Sequence, residues 1–261
     1  MMVKFDPQLT LIDSAQCFHW KRTTHGWAAI VAGKPLFVRE GEIPQDRIYF
    51  DLDRDYEALR ASETQFPVIG QMMDELPGLR VLRQPTWETV VAFILSANNN
   101  AARIRSLVWK VCSLGEEAVI DDTVVRGFPT PDALIRAGST ALREMGCGYR
   151  AEYLTGTAKM VADGFDLDEL SRMDYDAAHK QVQKLPGVGP KVADCILLFG
   201  CGHTCAFPVD VWMARAMEMH FGMEGLSRDK MRIRAQEIFG RDAGLIQQYI
   251  FHMMRTKRME A

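Results

Sequence analysis

The chain has 261 residues, 48% apolar and 25% charged, the balance of a globular protein long enough to bury a substantial core. Its net charge of −3 is uneven: residues 40–76 hold ten acidic against three basic side chains, so the remainder is net positive and can offer a polyanion a local basic face. No apolar run approaches the ~18 residues of a membrane span, the N-terminus has no hydrophobic signal region, and six scattered cysteines read as thiols, so the expected setting is the cytosol or nucleoid.

The first 60 residues read as strands. Trp27–Val31, a turn at Gly33-Lys-Pro35, and Leu36–Val38 form a hairpin pattern, and Ile48–Leu52 adds another β-rich run. From Asp53 onward the period shifts towards helix. Pro85-Thr86 opens a helix whose apolar run, Val90–Leu95, is wide enough to be buried; it ends at Ser96-Ala-Asn-Asn-Asn100. A basic amphipathic segment spans Ala101–Leu114. Further helices are expected at Pro131–Arg143, Ala151–Asp163, Tyr175–Lys184, Lys191–Phe199 (stopped by Gly200), Val211–Phe221, Arg228–Phe239 (stopped by Gly240) and Ala243–Arg255. The expected class is α+β and mainly helical. A β-rich domain over 1–76, with a small antiparallel sheet, precedes a two-part helical body over 77–261. A helix-hairpin-helix lies at about 175–200, and the C-terminal helices run over 228–255.

The chemistry concentrates at Leu185-Pro-Gly-Val-Gly-Pro-Lys-Val-Ala-Asp-Cys195. Gly187 and Gly189 permit a tight turn around Val188, and Pro190 suits a first helical position. The N–H groups exposed at that helix start can cradle a phosphate, which makes the hairpin a grip on a nucleic-acid backbone. Lys191 sits in the first turn, where the helix dipole disfavours an ammonium and so favours the neutral amine that a nucleophile needs. The plainer alternative is a solvated lysine on a phosphate. Asp210, nineteen residues on, reads as an N-cap; an ionised carboxylate there can also stabilise cationic charge at a sugar C1′.

Cys195 shares the Lys191 face at i+4, and Gln247 and Phe251 are i, i+4 partners on a later helix. A Gln amide offers both donor and acceptor to a base edge, and a Phe ring offers a stacking face. Gly148-Tyr149-Arg150 has the composition of an intercalating wedge beside a base-edge donor, and Asn98–Asn100 with Arg103 supplies further polar groups. Helix packing or a solvated loop accounts for each of these alone. Cys195, Cys201 and Cys205, with His203 between, lack the short Cys-x2-Cys pairs of zinc sites and read as structural thiols.

Together these fragments resemble the 8-oxoguanine DNA glycosylase/AP lyase family of the helix-hairpin-helix glycosylases. The resemblance runs from Gln16-Cys-Phe-His-Trp20 through Leu82-Arg-Gln84, Ser96–Ile104, Gly148–Ala151, Leu185–Cys195 and Pro208–Val211 to the Gln247/Phe251 helix. It implies a base-excision-repair enzyme that flips out 8-oxoguanine opposite cytosine, excises it through a Schiff base on Lys191 assisted by Asp210, and cleaves the strand by β-elimination. It further implies that Cys195 and Phe251 sandwich the extruded base, Gln247 binds its Watson–Crick edge, and the C-terminal helices line that pocket. Tyr149 would fill the gap left in the duplex, and Asn98, Arg103 and Arg150 would read the orphaned cytosine. The hairpin Gly187, Val188 and Gly189 would hold the backbone, with a monovalent cation there, no other cofactor and no catalytic metal. The expected partner is double-stranded DNA containing an oxidised purine, met by a monomer away from membranes.

Two positions depart from the family. Ala15 replaces a glycine whose carbonyl accepts the N7–H of 8-oxoguanine, and Trp212 stands where a phosphate-contacting His is usual. Two rival readings remain. One is an endonuclease III-like pyrimidine glycosylase, although no Cys follows Cys205 to build the iron–sulfur cluster those proteins usually carry. The other is a non-catalytic hairpin module that only binds DNA.

Overall fold

The computed structural model describes residues 3–62 and 66–256; Met1 and Met2 of the N-terminal reading and Glu63 of the acidic segment lie outside the described residues. A π-helical turn over Gln8–Asp13 leads into β1 (Lys21–Arg22), β2 (Gly26–Val31) and β3 (Lys34–Arg39), which form an antiparallel sheet in that order. Trp27 lies opposite Val38 and Ile30 opposite Pro35, which is the expected hairpin. All six residues of β2 are buried because both its faces are covered. Trp27, Ala29 and Val31 pack with Trp20 and Phe50, while Ala28 and Ile30 pack on Val125.

Ile48–Leu52 is not a strand. The Leu52 N–H donates to the Arg47 carbonyl (2.9 Å), and the Asp46 carboxylate accepts from the Tyr49 N–H (3.0 Å), so the stretch winds through consecutive turns. Tyr49, Phe50 and Leu52 are buried by that winding, and Ile48 is exposed. The acidic segment is not wholly at the surface either. Asp51 is buried and accepts from Arg54 (2.6 Å), Tyr56 (3.0 Å) and Arg83 (3.1 Å), the charge-assisted bonding a buried carboxylate requires.

The helical body comprises α1 (Tyr56–Ser62), α2 (Pro67–Glu75), α3 (Thr86–Ser96) and α4 (Ala101–Val111), then α5 (Pro131–Glu144), α6 (Arg150–Ala162) and α7 (Tyr175–Val182). It continues with α8 (Pro190–Cys201), α9 (Val211–Phe221), α10 (Arg228–Phe239) and α11 (Ala243–Arg255). Between α4 and α5 lies a second antiparallel hairpin, β4 (Glu117–Ile120) and β5 (Thr123–Arg126), absent from the sequence reading. The expected uninterrupted helix over 131–143 is kinked at Gly138, whose φ of 72° breaks the helical path. None of the described helices is long and apolar enough to cross a membrane.

Three helices form the centre. α3 buries every residue from Glu88 to Ser96, α8 every residue from Val192 to Phe199, and α11 eleven residues between Ala243 and Met254. Gly200 does not stop α8. The helix runs on to Cys201 and ends at Gly202, in the left-handed region at φ 77°. Gly200 instead lets two helices touch: a Cβ there would lie 3.1 Å from Thr86 Cα and from the Thr89 side chain, and the Thr86 hydroxyl donates to its carbonyl (2.9 Å). Gly200→Val should therefore lower stability by about 1–3 kcal/mol. A reduced urea midpoint with unchanged slope is the expected result; an unaltered midpoint would mean that α3 and α8 can part without cost.

Candidate active site

The turn before α8 is built around one glycine. Gly187 has φ 81°, and a Cβ on it would fall 2.6 Å from the Tyr153 ring. The Val188 N–H closes the turn onto the Leu185 carbonyl (3.1 Å), Gly189 is the extended N-cap, and Pro190 takes the first helical position. The first-turn amides of α8 therefore face outward with no capping side chain, which suits an anion.

A polar cluster fixes this helix from beneath. Tyr175 on α7 donates to Asp194 (2.5 Å), Arg232 on α10 donates to the Tyr175 hydroxyl (2.8 Å), and a ring nitrogen of His179 lies 3.3 Å from the Pro190 carbonyl. Burial pushes the Asp194 carboxyl up to about 7, against the pull of Tyr175 and Arg232. The cluster joins α7, α8 and α10 immediately below Lys191.

Above it opens a cavity of about 350 Å³, lined by Lys191, Cys195, Asp210, Gln247, Phe251 and Ala15 among others. The residues singled out for catalysis and base binding thus share one wall-to-wall space, although they come from four separate parts of the chain. The Lys191 Nζ lies 5.4 Å from the Phe93 ring centre and makes no ion pair with Asp210 among the described residues. Asp210 caps α9, with one carboxylate oxygen accepting from the Trp212 and Met213 amides (2.9 Å each). Burial pushes the Cys195 thiol up to about 11, with the Lys191 charge opposing. Gln247 is 4% exposed; its Nε2 donates to the Pro208 carbonyl (3.3 Å), and its Oε1 is buried with no donor. A buried, unmatched amide oxygen is costly unless something supplies a proton to it.

The N-terminal turn contributes a second acceptor. Three consecutive carbonyls are each held by a long side chain: Ile12 by Arg105, Asp13 by Arg255, and Ser14 by Gln248 (2.8 Å). The next carbonyl, that of Ala15, has no donor among the described residues. Ala15 has φ 57°, the left-handed conformation that glycine adopts freely, so the methyl is accommodated without the backbone leaving that region.

Of the residues expected at the opposite strand, Asn98 and Tyr149 line a separate open concavity of about 520 Å³ together with the hairpin Gly187, Val188 and Gly189. Tyr149 is 47% exposed, and its hydroxyl accepts from Asn98 (3.2 Å). Arg150 is buried, with its guanidinium donating to the carbonyls of Ala97 (2.8 Å) and Asn98 (3.2 Å). It braces the loop that carries Asn98 rather than projecting from the surface. Arg103 is exposed on the first turn of α4, whose Asn100 cap accepts from the Arg103 amide (3.0 Å).

Sequence reasoning missed Phe93, Gln248 and Arg255 on the cavity wall. Arg255 was findable one turn after Phe251; Phe93 gave no signal beyond its apolar run. Trp212 lies in the cavity wall, with the Arg215 guanidinium 5.5 Å from its ring centre. Among the described residues no three His, Cys, Asp or Glu side chains gather to hold a metal; the His203 ring nitrogen lies 2.8 Å from the Leu170 carbonyl.

A hairpin-mounted lysine on the wall of a cavity that it shares with a capped carboxylate defines a class. Residues 91–241 match the family model described as HhH-GPD superfamily base excision DNA repair protein, and the chain belongs to that superfamily. Within it the chain is 32% identical to the probable N-glycosylase/DNA lyase of Methanothermobacter thermautotrophicus, over 79% of this chain and 71% of that one. It is 42% identical to the N-glycosylase/DNA lyase OGG1 of Arabidopsis thaliana over 56% of this chain, a match that spans 42% of that relative's length. The crystal structure of Clostridium acetobutylicum 8-oxoguanine glycosylase/lyase with double-stranded DNA containing cytosine opposite 8-oxoG superposes with a TM-score of 0.90. Its identity is 31%, and the superposition covers 98% of this chain and 93% of that one.

Because the Cys195 thiol is pushed up to about 11, it should remain protonated and resist iodoacetamide between pH 7 and 9 in the native protein. Mass spectrometry should find Cys195 labelled only after unfolding in urea; native labelling at the unfolded rate would contradict the burial that shifts it.

Proposed function

We propose that the protein is a bifunctional DNA glycosylase/AP lyase that removes 8-oxoguanine opposite cytosine from duplex DNA. The observation that carries this reading is the shared cavity. A lysine amine, a capped carboxylate, a buried amide oxygen without a donor and an unmatched backbone carbonyl surround one space beside a phosphate-binding hairpin.

The chemistry follows from those groups. The first-turn amides of α8, presented by Gly187, Val188 and Gly189, hold a backbone phosphate. The lesion leaves the stack at a cost of a few kcal/mol and enters the cavity. Its faces lie between the Cys195 thiol and the Phe251 ring, Gln247 Oε1 accepts a hydrogen bond from the N1–H of its Watson–Crick edge, and the Ala15 carbonyl accepts one from the N7–H. That last contact separates 8-oxoguanine from guanine, whose N7 bears no proton. Tyr149 fills the vacated position, while Asn98 and Arg103 meet the orphaned cytosine on a loop braced by Arg150.

The neutral Lys191 amine forms a bond to C1′ as the C1′–N9 bond breaks; the bonding pair leaves with the base, which takes up a proton. The Asp210 carboxylate stabilises the positive charge that develops at the sugar. The nitrogen then loses one proton, its lone pair forms the C1′–N double bond as the C1′–O4′ bond breaks, and the ring oxygen takes up a proton, leaving a protonated imine. Removal of a C2′ proton then expels the 3′ phosphate, and water releases the lysine. A monovalent cation at the hairpin would be held by turn carbonyls, of which those of Leu185, Pro186 and Gly189 already accept from Val188, Thr157 and Ala193, and no step passes through it. A plain DNA clamp accounts for the hairpin but gives no purpose to Gln247 and Asp210 in a shared cavity.

Incubation with an 8-oxoguanine:cytosine duplex and borohydride should yield a covalent protein–DNA adduct, and Lys191→Gln should abolish it. An adduct from Lys191→Gln would remove the nucleophile assignment. Gln247→Ala should slow base release by about 10- to 100-fold, the range expected for losing a buried hydrogen bond to the base. Its affinity for undamaged duplex should change less than about twofold; equal losses on both measurements would sink the pocket assignment.

A further inference from the structure

We propose that Arg255 reads the 6-carbonyl of the extruded base, which makes it a third specificity determinant of the pocket; the inference rests on the base orientation given under Proposed function. Arg255 lies one turn beyond Phe251 and two beyond Gln247, on the same face of α11, and it lines the same cavity. Its guanidinium carbon is 5.9 Å from the Phe251 ring centre, at the rim of the slot where a base would stack.

The guanidinium has donors to spare. Of its five N–H groups, one serves the Asp13 carbonyl; no other finds an acceptor among the described residues, and the Nε is fully buried without one. A partly buried cation that lacks acceptors is unfavourable until a ligand supplies them. An arginine cannot relieve that state by losing its proton, so the cavity retains a fixed donor beside two fixed acceptors.

The position of Arg255 identifies the acceptor. Around a guanine-type edge the order is N1–H, the C6 carbonyl, then N7–H. Gln247 faces N1 from α11, and Ala15 faces N7 from the N-terminal turn. Arg255 spans these two elements, because it rises from α11 and is bonded to Asp13, two residues before Ala15. Joining the two elements that carry the acceptors for N1–H and N7–H, Arg255 is the donor assigned to the oxygen between them. An adenine-type base presents an amino group there, donor against donor, and it is refused even when its C8 is oxidised.

Binding measured in the chemically silent Lys191→Gln background tests this, with duplexes carrying 8-oxoguanine, 8-oxoadenine or guanine opposite cytosine. The ratio of dissociation constants for 8-oxoadenine and 8-oxoguanine is the readout, since a change in folded fraction cancels from it. Adding Arg255→Ala should lower that ratio by about tenfold or more, and Arg255→Lys, which keeps the charge with fewer oriented donors, should give an intermediate ratio. A ratio unchanged within twofold would overturn the proposal, including the case where all three duplexes weaken together, as a phosphate contact or a mere brace for Asp13 would produce. If Lys191→Gln alone binds the 8-oxoguanine and guanine duplexes equally, the lesion assignment itself fails, and it does so before Arg255 is altered.

Discussion

The site depends on a single helix that is buried along its length and open at its start. α8 is enclosed from Val192 to Phe199, yet its first turn must meet solvent, where Lys191 and the hairpin amides lie. Apolar packing against α3 and α11 fixes the shaft, and the Tyr175–Asp194–Arg232 cluster and His179 fix the depth at which the first turn emerges. A small rotation of α8 would carry Lys191 away from the cavity and turn the hairpin amides from a bound strand. Positioning at this level is what makes an amine on a sugar carbon effectively intramolecular.

The cavity shows a division of labour between charge and hydrogen bonding. Asp210 is held by two backbone amides, so it faces the site as an oriented carboxylate rather than as half of a closed ion pair with Lys191. Had the two paired directly, the carboxylate would be screened from the sugar. The recognition groups follow another rule. Gln247 and Ala15 each retain an acceptor with no internal donor, so the empty pocket is less satisfied than the filled one, and a ligand lacking the matching donors leaves that cost in place.

Much of this was legible because helix signals are local. α9 and α10 begin at their caps and end at their glycines, and the hairpin was readable from Leu185–Pro190 alone. Signals that depend on distant partners failed. Ile48–Leu52 has a strand's composition, but Asp46 and Arg47 provide the turn bonds that wind it. Gly200 looks like a helix stop because its true partners, Thr86 and Thr89, are more than a hundred residues away. The β4–β5 hairpin consists of two short β-branched runs around Asp121-Asp122, and its tip is secured by Thr24 and His25 from the first sheet. Arg150 has the composition of a base reader; its burial and its bonds to the Ala97 and Asn98 carbonyls could not be read from the Gly148–Arg150 string.

The run of tethered carbonyls at Ile12, Asp13 and Ser14 ties one end of the chain to the other, since two of its three holders, Gln248 and Arg255, come from α11. The aim of the Ala15 carbonyl is therefore set by the same helix that carries Gln247 and Phe251. A shift of α11 along its axis would displace acceptors on two walls of the cavity together, so the width of the slot is preserved while its position moves.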